Sequence, residues 1–294
     1  MSSWIAFTIL AAFMQSIRTA GQKELSSNLT PMSATLVRYL YGLPLVASYL
    51  VLLLGEHTWL EVSQAINNSR FVVYATLAGI SQIVATVLLV KVFSFRNFAV
   101  GTSFAKTEAV QTAVFGLVFF SAALSVAGWL AVFIGFLGIA VVSFPATSQA
   151  WDWRNIVIGT ASGTAFAFTS LWLREASLSL NTDGLHSAAL TLFFMVVLQT
   201  LICLTYSVLK EPGEIKKISK RRLLATFVGA TSALGSIGWF TAMTLQNAAL
   251  VKSLGQIEFI FTLLITTFFF KEKISPREFL GMVLIVISVI VLLQ

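Results

Sequence analysis

One cysteine, Cys203, and two histidines, His57 and His186, stand in a chain of 294 residues. A lone thiol excludes an intramolecular disulfide and a cysteine metal cluster. The histidines are far apart in sequence and neither sits in a ligand motif, which argues against zinc. Nothing in the sequence asks for a cofactor. There is no His-Glu-x-x-His, no pair of aspartates and no Gly-x-Ser-x-Gly. An enzyme acting in an apolar phase would lack both a metal set and a nucleophile–base set. The absence of Gly-x4-Gly-Lys-Ser/Thr argues against ATP-driven pumping by this chain alone. Charge is scarce too: 11% of residues carry it, against about 25% in a soluble domain.

What fills the chain is apolar, with 57% hydrophobic residues. Runs of roughly 17–25 apolar residues cross a hydrocarbon core as helices. Ten such runs are read, at about 3–20, 32–54, 70–91, 98–120, 125–144, 155–175, 185–209, 223–243, 249–270 and 276–293. The connectors are short and leave no room for a sizeable soluble domain. The first run lacks a basic leading segment and continues into the polytopic pattern, so it is read as a span and not as a cleaved signal. The expectation is an all-α integral membrane protein of ten transmembrane helices, embedded in the lipid bilayer.

A net charge of +7 is compatible with nucleic-acid binding, but the basic residues gather at helix ends, which argues against it. The connector after the seventh span holds Lys210, Lys216, Lys217, Lys220, Arg221 and Arg222. The one after the ninth holds Lys271, Lys273 and Arg277. Arg18 and Lys23 follow the first span, and Lys91 and Arg96 the third. The alternate connectors hold little beyond Arg70 and Arg174. The positive-inside rule then puts the odd-to-even connectors in the cytoplasm and both termini outside it. The chain is read as a multi-pass protein of a cell membrane, the inner one in a bacterium, as monomer or homodimer.

A shift of 150 residues aligns Glu108 with Glu258, each a carboxylate inside an apolar run. It also aligns Asn97 with Asn247, Ala99 with Ala249, Ser103 with Ser253 and Thr112 with Thr262. Over 94–130 there are nine identities in 37 positions. Ten helices divide into five and five, and an odd number per copy makes the second enter the membrane from the opposite side. That is the inverted repeat of secondary transporters, with a binding site near the midplane. The first repeat is set at 1–145, the linker at 146–154 and the second repeat at 155–294. Trp151 and Trp153 suit an interfacial belt.

The stretch from Leu254 through Glu258, Phe270, Glu272 and Gly281 resembles the penultimate-to-last helix pattern of the drug/metabolite transporter superfamily, in its EamA-like ten-helix branch. Glu258 takes the family glutamate position and Glu272 that of the turn glutamate. Val37-Arg38-Tyr39 resembles the arginine–aromatic step of family helix 2. The resemblance implies a transporter fold and a small-molecule substrate, with no one substrate named. The chain departs where the family has proline after the glutamate: Ala109 and Phe259 stand there. The turn glutamate has Ala122 as its counterpart in the first copy.

The fourth span is taken as one helix over 98–120. Glu108 and Thr112 then share a face, and Gln111 widens it. Lys106 and Ser103 lie about 200° round from Glu108 on a helix of 3.6 residues per turn. In the ninth span Glu258 and Thr262 repeat the pair, Gln256 takes the place of Lys106, and Lys252 lies one turn before Gln256. Each copy thus presents Ser-x4-Glu-x3-Thr. A charge at membrane depth points to function. A desolvated glutamate takes up a proton more readily, which would couple flux to protons; the other reading is that it pairs with an ammonium on the substrate. Lys106, Arg38 or Lys252 would hold a carboxylate or phosphate. The bland reading is that the glutamates are locked in ion pairs with Lys106, Arg38 or each other's neighbours. Arg18, Arg174 and Glu175 read as anchors at helix ends. Trp172 and Trp239 read as packing residues, with the cavity wall as the second reading. Gly159-x3-Gly163, Gly229, Gly235 and Gly238 allow close helix approach.

The expected function is a secondary exporter, proton-coupled, of a small polar or zwitterionic metabolite such as an amino acid, by alternating access. The alternative is a lipid or lipid-linked sugar translocator, in which Lys106, Arg38 and Lys252 would matter more than the acids.

Overall fold

The computed structural model describes residues 2–95, 104–143, 153–270 and 275–294. Fourteen α-helices carry the described chain, with no strand among the described residues. They are α1 Ser3–Ser26, α2 Pro31–Leu40, α3 Leu43–Leu54, α4 Thr58–Asn67, α5 Ser69–Phe93, α6 Glu108–Phe120, α7 Val126–Ser143, α8 Trp153–Leu178, α9 Gly184–Lys210, α10 Pro212–Lys220, α11 Arg222–Leu245, α12 Ala248–Gly255, α13 Glu258–Phe270 and α14 Pro276–Leu292. Among the described residues six segments are long and apolar enough to cross a membrane; α6 and α7 are shorter apolar helices. Most of the linker, and Ser103, Arg96, Lys271, Glu272 and Lys273, lie outside the described residues.

Local chemistry sets the helix starts. Thr30, Asn68, Asp183 and Asn247 each accept a backbone N–H of the first turn of α2, α5, α9 and α12. Ser275 and Glu278 close a reciprocal capping box at α14. Such a cap is worth about 1 kcal/mol. The second predicted span is two helices, α2 and α3. Tyr41-Gly42 interrupts it, and Pro44 cannot donate to the helix ladder. The short connectors contain two unforeseen helices. In α4, Trp59, Leu60 and Ile66 are exposed. In α10, Lys216, Lys217 and Lys220 are exposed while Ile218 is buried. Both suit a membrane–water boundary.

Three helix pairs make the most extensive contacts: α5 with α8, α1 with α11, and α7 with α14. Small residues permit each approach. Ser162 donates to the Ala85 carbonyl and Ser81 to the Ala165 carbonyl across α5–α8. A methyl on Gly238 would lie 2.6 Å from the Phe7 carbonyl of α1. A methyl on Gly281 would overlap Val142 and come within 2.8 Å of the Gly138 carbonyl. In repeat terms, the third span of each copy lies along the first span of the other, and the two fifth spans lie together. The main core fills the space between α1, α5, α8, α9 and α11, around Phe71, Met195, Phe240 and Met243.

Candidate functional site

The fourth and ninth spans are not continuous helices. Each breaks immediately before its glutamate, so Glu108 opens α6 and Glu258 opens α13. At the breaks the ladder tightens to three-residue bonds, from Thr107 N–H to the Phe104 carbonyl and from Gln256 N–H to that of Ser253. The break needs no proline, since Ala109 and Phe259 follow the glutamates. A carboxylate in the first turn is favoured by the partial positive charge of a helix N-terminus.

The two glutamates are paired crosswise between the copies. Lys252 of α12 lies 3.1 Å from Glu108 Oε1. Lys106, from the turn before α6, lies 2.5 Å from Glu258 Oε2. Gln15 of α1 donates its amide to the same Glu258 oxygen at 2.6 Å and accepts the Trp239 indole N–H at 2.9 Å. The Lys252 ammonium stands 4.7 Å from the centre of the Trp239 ring, a contact worth about 2 kcal/mol when desolvated. Gly255 leaves room for that ring, because a methyl there would overlap it. Ion pairs and bridging amide thus join α1, α6, α11, α12 and α13 into one network.

These groups line one common cavity. Arg18 of α1 and Arg38 of α2 line it as well, each only 6% exposed. Arg38 donates to the Thr86 hydroxyl of α5 at 3.2 Å. Neither arginine has a carboxylate partner among the described residues, and the buried Arg18 Nε has no hydrogen-bond partner there.

The other sequence-derived candidates fall away from this cavity. The Thr112 and Thr262 hydroxyls donate back to the carbonyls of Glu108 and Glu258, so the paired threonines satisfy their own helices. Gln111 joins Thr107 to Thr164 and so ties α6 to α8. Gln256 is buried against Gly135 of α7 and Ser288 of α14, with neither amide atom bonded among the described residues. Ser253 is buried and its hydroxyl is likewise unpartnered there.

Arg18 corrects an expectation. Assigned to the first connector as an anchor, although the expected span already ran to residue 20, it lies buried within α1, which continues two turns beyond it to Ser26. Gln15 was missed altogether. The available signal was a polar stripe, Gln15, Arg18, Thr19 and Gln22, on one helix face. Arg174 does cap a helix end: it donates to the carbonyls of Met243, Thr244 and Gln246 at the close of α11. Glu175 pairs with Arg70. Trp172 stacks on Phe168, whereas Trp239 lines the cavity.

Long apolar helices around an interior of paired charges define a polytopic membrane protein. The EamA-like transporter family matches residues 2–144 and again 152–294. The chain belongs to that family, and it is a membrane transporter of the drug/metabolite type with a small-molecule substrate. One solved structure, described only as a crystal structure of a protein, is similar over 99% of this chain and 96% of its own, with a TM-score of 0.75 at 14% identity; that likeness is one of fold. No curated protein matches the chain.

Proposed function

We propose that this protein is a secondary transporter that carries a small polar metabolite outward by alternating access, coupled to protons. Its ten spans form two inverted five-helix repeats, 1–145 and 155–294, and both termini face away from the cytoplasm. The crossed pairing of Lys106 with Glu258 and of Lys252 with Glu108 carries this reading. Each pair joins one copy to the other across the cavity, so relative movement of the halves must strain or exchange the pairs. A glutamate that loses its lysine is left as a buried carboxylate without its ion pair, and that state is where the coupled proton would enter. The exchanged packing of α5 with α8 and α1 with α11 supports the two-fold relation of the halves.

The test is flux in proteoliposomes under an imposed pH gradient, with Glu108→Gln, Glu258→Gln and the double variant. Loss of proton-coupled flux, with helix content and elution volume unchanged, is the expected result. Full transport by the double variant across the gradient would overturn the coupling role.

A further inference from the structure

We infer that the cavity binds the anionic group of a small doubly charged metabolite, a phosphate monoester or a dicarboxylate, between Arg18 and Arg38. This deepens the proposed function and rests on it for placing the site on the transport route. The inference comes from charge balance. Among the described residues the cavity is lined by Arg18, Arg38, Lys106, Lys252, Glu108 and Glu258, four cations against two carboxylates. The carboxylates are already engaged by the lysines. Glu258 and Glu108 also attract Arg18 at longer range, but neither guanidinium has an ion pair of its own among the described residues, and the lining keeps two positive charges in excess.

Two buried arginines without a direct ion pair are costly in a low-dielectric interior, because desolvation is only partly offset by more distant charges. The fold holds them there nonetheless. Arg38 is pinned by Thr86, and Arg18 presents a buried Nε with no partner among the described residues. A guanidinium is a planar fork whose N–H groups match the paired oxygens of a carboxylate or phosphate. A ligand of charge −2 would neutralise the wall without disturbing the lysine–glutamate pairs. A zwitterion would bring an ammonium to carboxylates already occupied, and a cationic substrate would meet unpaired arginines.

The experiment measures binding by thermal shift on the purified full chain, at ionic strength held constant with chloride. The probes are glycerol 3-phosphate, inorganic phosphate and succinate, against glycerol and leucine. The charged probes are expected to raise Tm at millimolar concentration, glycerol to do nothing, and the better of the ester and the dicarboxylate to tell the two sources apart. Arg18→Gln and Arg38→Gln should each weaken the apparent affinity at least tenfold, and Arg18→Lys, which keeps charge without the fork, by less. Without ligand, Arg18→Gln should melt no lower than the wild type, since it removes an unpaired buried charge; a structural arginine would give a lower Tm. A wild type that ignores all three dianions, or an Arg18→Gln/Arg38→Gln protein that binds them equally, overturns the assignment. Counterflow in proteoliposomes separates the two claims. Exchange of leucine but not of dianions rejects the anion site and keeps the transporter. Dianion binding with no flux of the bound probe keeps the site and rejects its place on the transport route.

Discussion

Lys252 and Glu108 are nearly closed off from solvent, their side chains 9% and 16% exposed. Removing one partner of a buried pair strands the other, at a cost of about 3–5 kcal/mol. Lys252→Met is therefore expected to destabilise the protein by roughly 3 kcal/mol, and adding Glu108→Gln to recover most of that loss. Denaturation of the four proteins in detergent measures the coupling, and purely additive losses would mean that the pair is not energetically real. Lys106 is 37% exposed and Glu258 keeps Gln15, so Lys106→Met is expected to cost only about 1 kcal/mol. The glutamates were legible in the sequence because a carboxylate in an apolar run is anomalous. Their partners were not. Local spacing rules reach three or four residues, whereas these lysines lie 144 and 152 residues from their glutamates. Arg18 was misread because a charge near the end of an apolar run looks like a boundary.

Among the helix pairs, α7 and α14 show most directly how close approach depends on a missing side chain. Gly281→Ala would drive a methyl into Val142 and toward the Gly138 carbonyl. Overpacking of this kind costs about 1–3 kcal/mol. A fall in Tm is expected, with partial recovery on adding Val142→Ala, since the backbone contact to Gly138 remains. A neutral Gly281→Ala would mean that the two helices separate at little cost. Helix existence was readable from apolar run length. Helix breaks were not anticipated: Gly42 and Pro44 carry a signal for the one between α2 and α3 that the single span 32–54 passed over, while Lys106-Thr107 contains no residue that forbids a helix. The small helices α4 and α10 escaped notice because nine or ten residues give too few turns for a periodic signal, although Pro212 sits at the favoured first position of α10.

For the whole molecule, the expected orientation no longer draws on Arg18 and rests chiefly on α10 and its end, which present Lys216, Lys217, Lys220, Arg221 and Arg222. Cys203 is buried, so on a Cys203→Ser background single cysteines report sidedness. Ser219→Cys in α10 is expected to label only from the cytoplasmic side, and Asn181→Cys between α8 and α9 only from the outside. The reverse pattern would invert the assignment. The two-copy plan was legible because a single shift of 150 residues aligns both glutamates. The mutual packing of the copies was not, since the residues that meet across them occupy different positions in each.

Crosswise pairing also bears on how the chain is made. Residues 1–150 leave the ribosome with Lys106 and Glu108 both lacking the partners that meet them in the finished protein. Until α12 and α13 arrive, the first half holds two further orphan charges at membrane depth, beyond Arg18 and Arg38, and each is unfavourable there by about 2.5–3.5 kcal/mol. A chain halted at 150 is thus marked as unassembled by its own charges. Pulse-chase in cells should find it far shorter-lived than the full chain, and rescued when 151–294 is supplied separately.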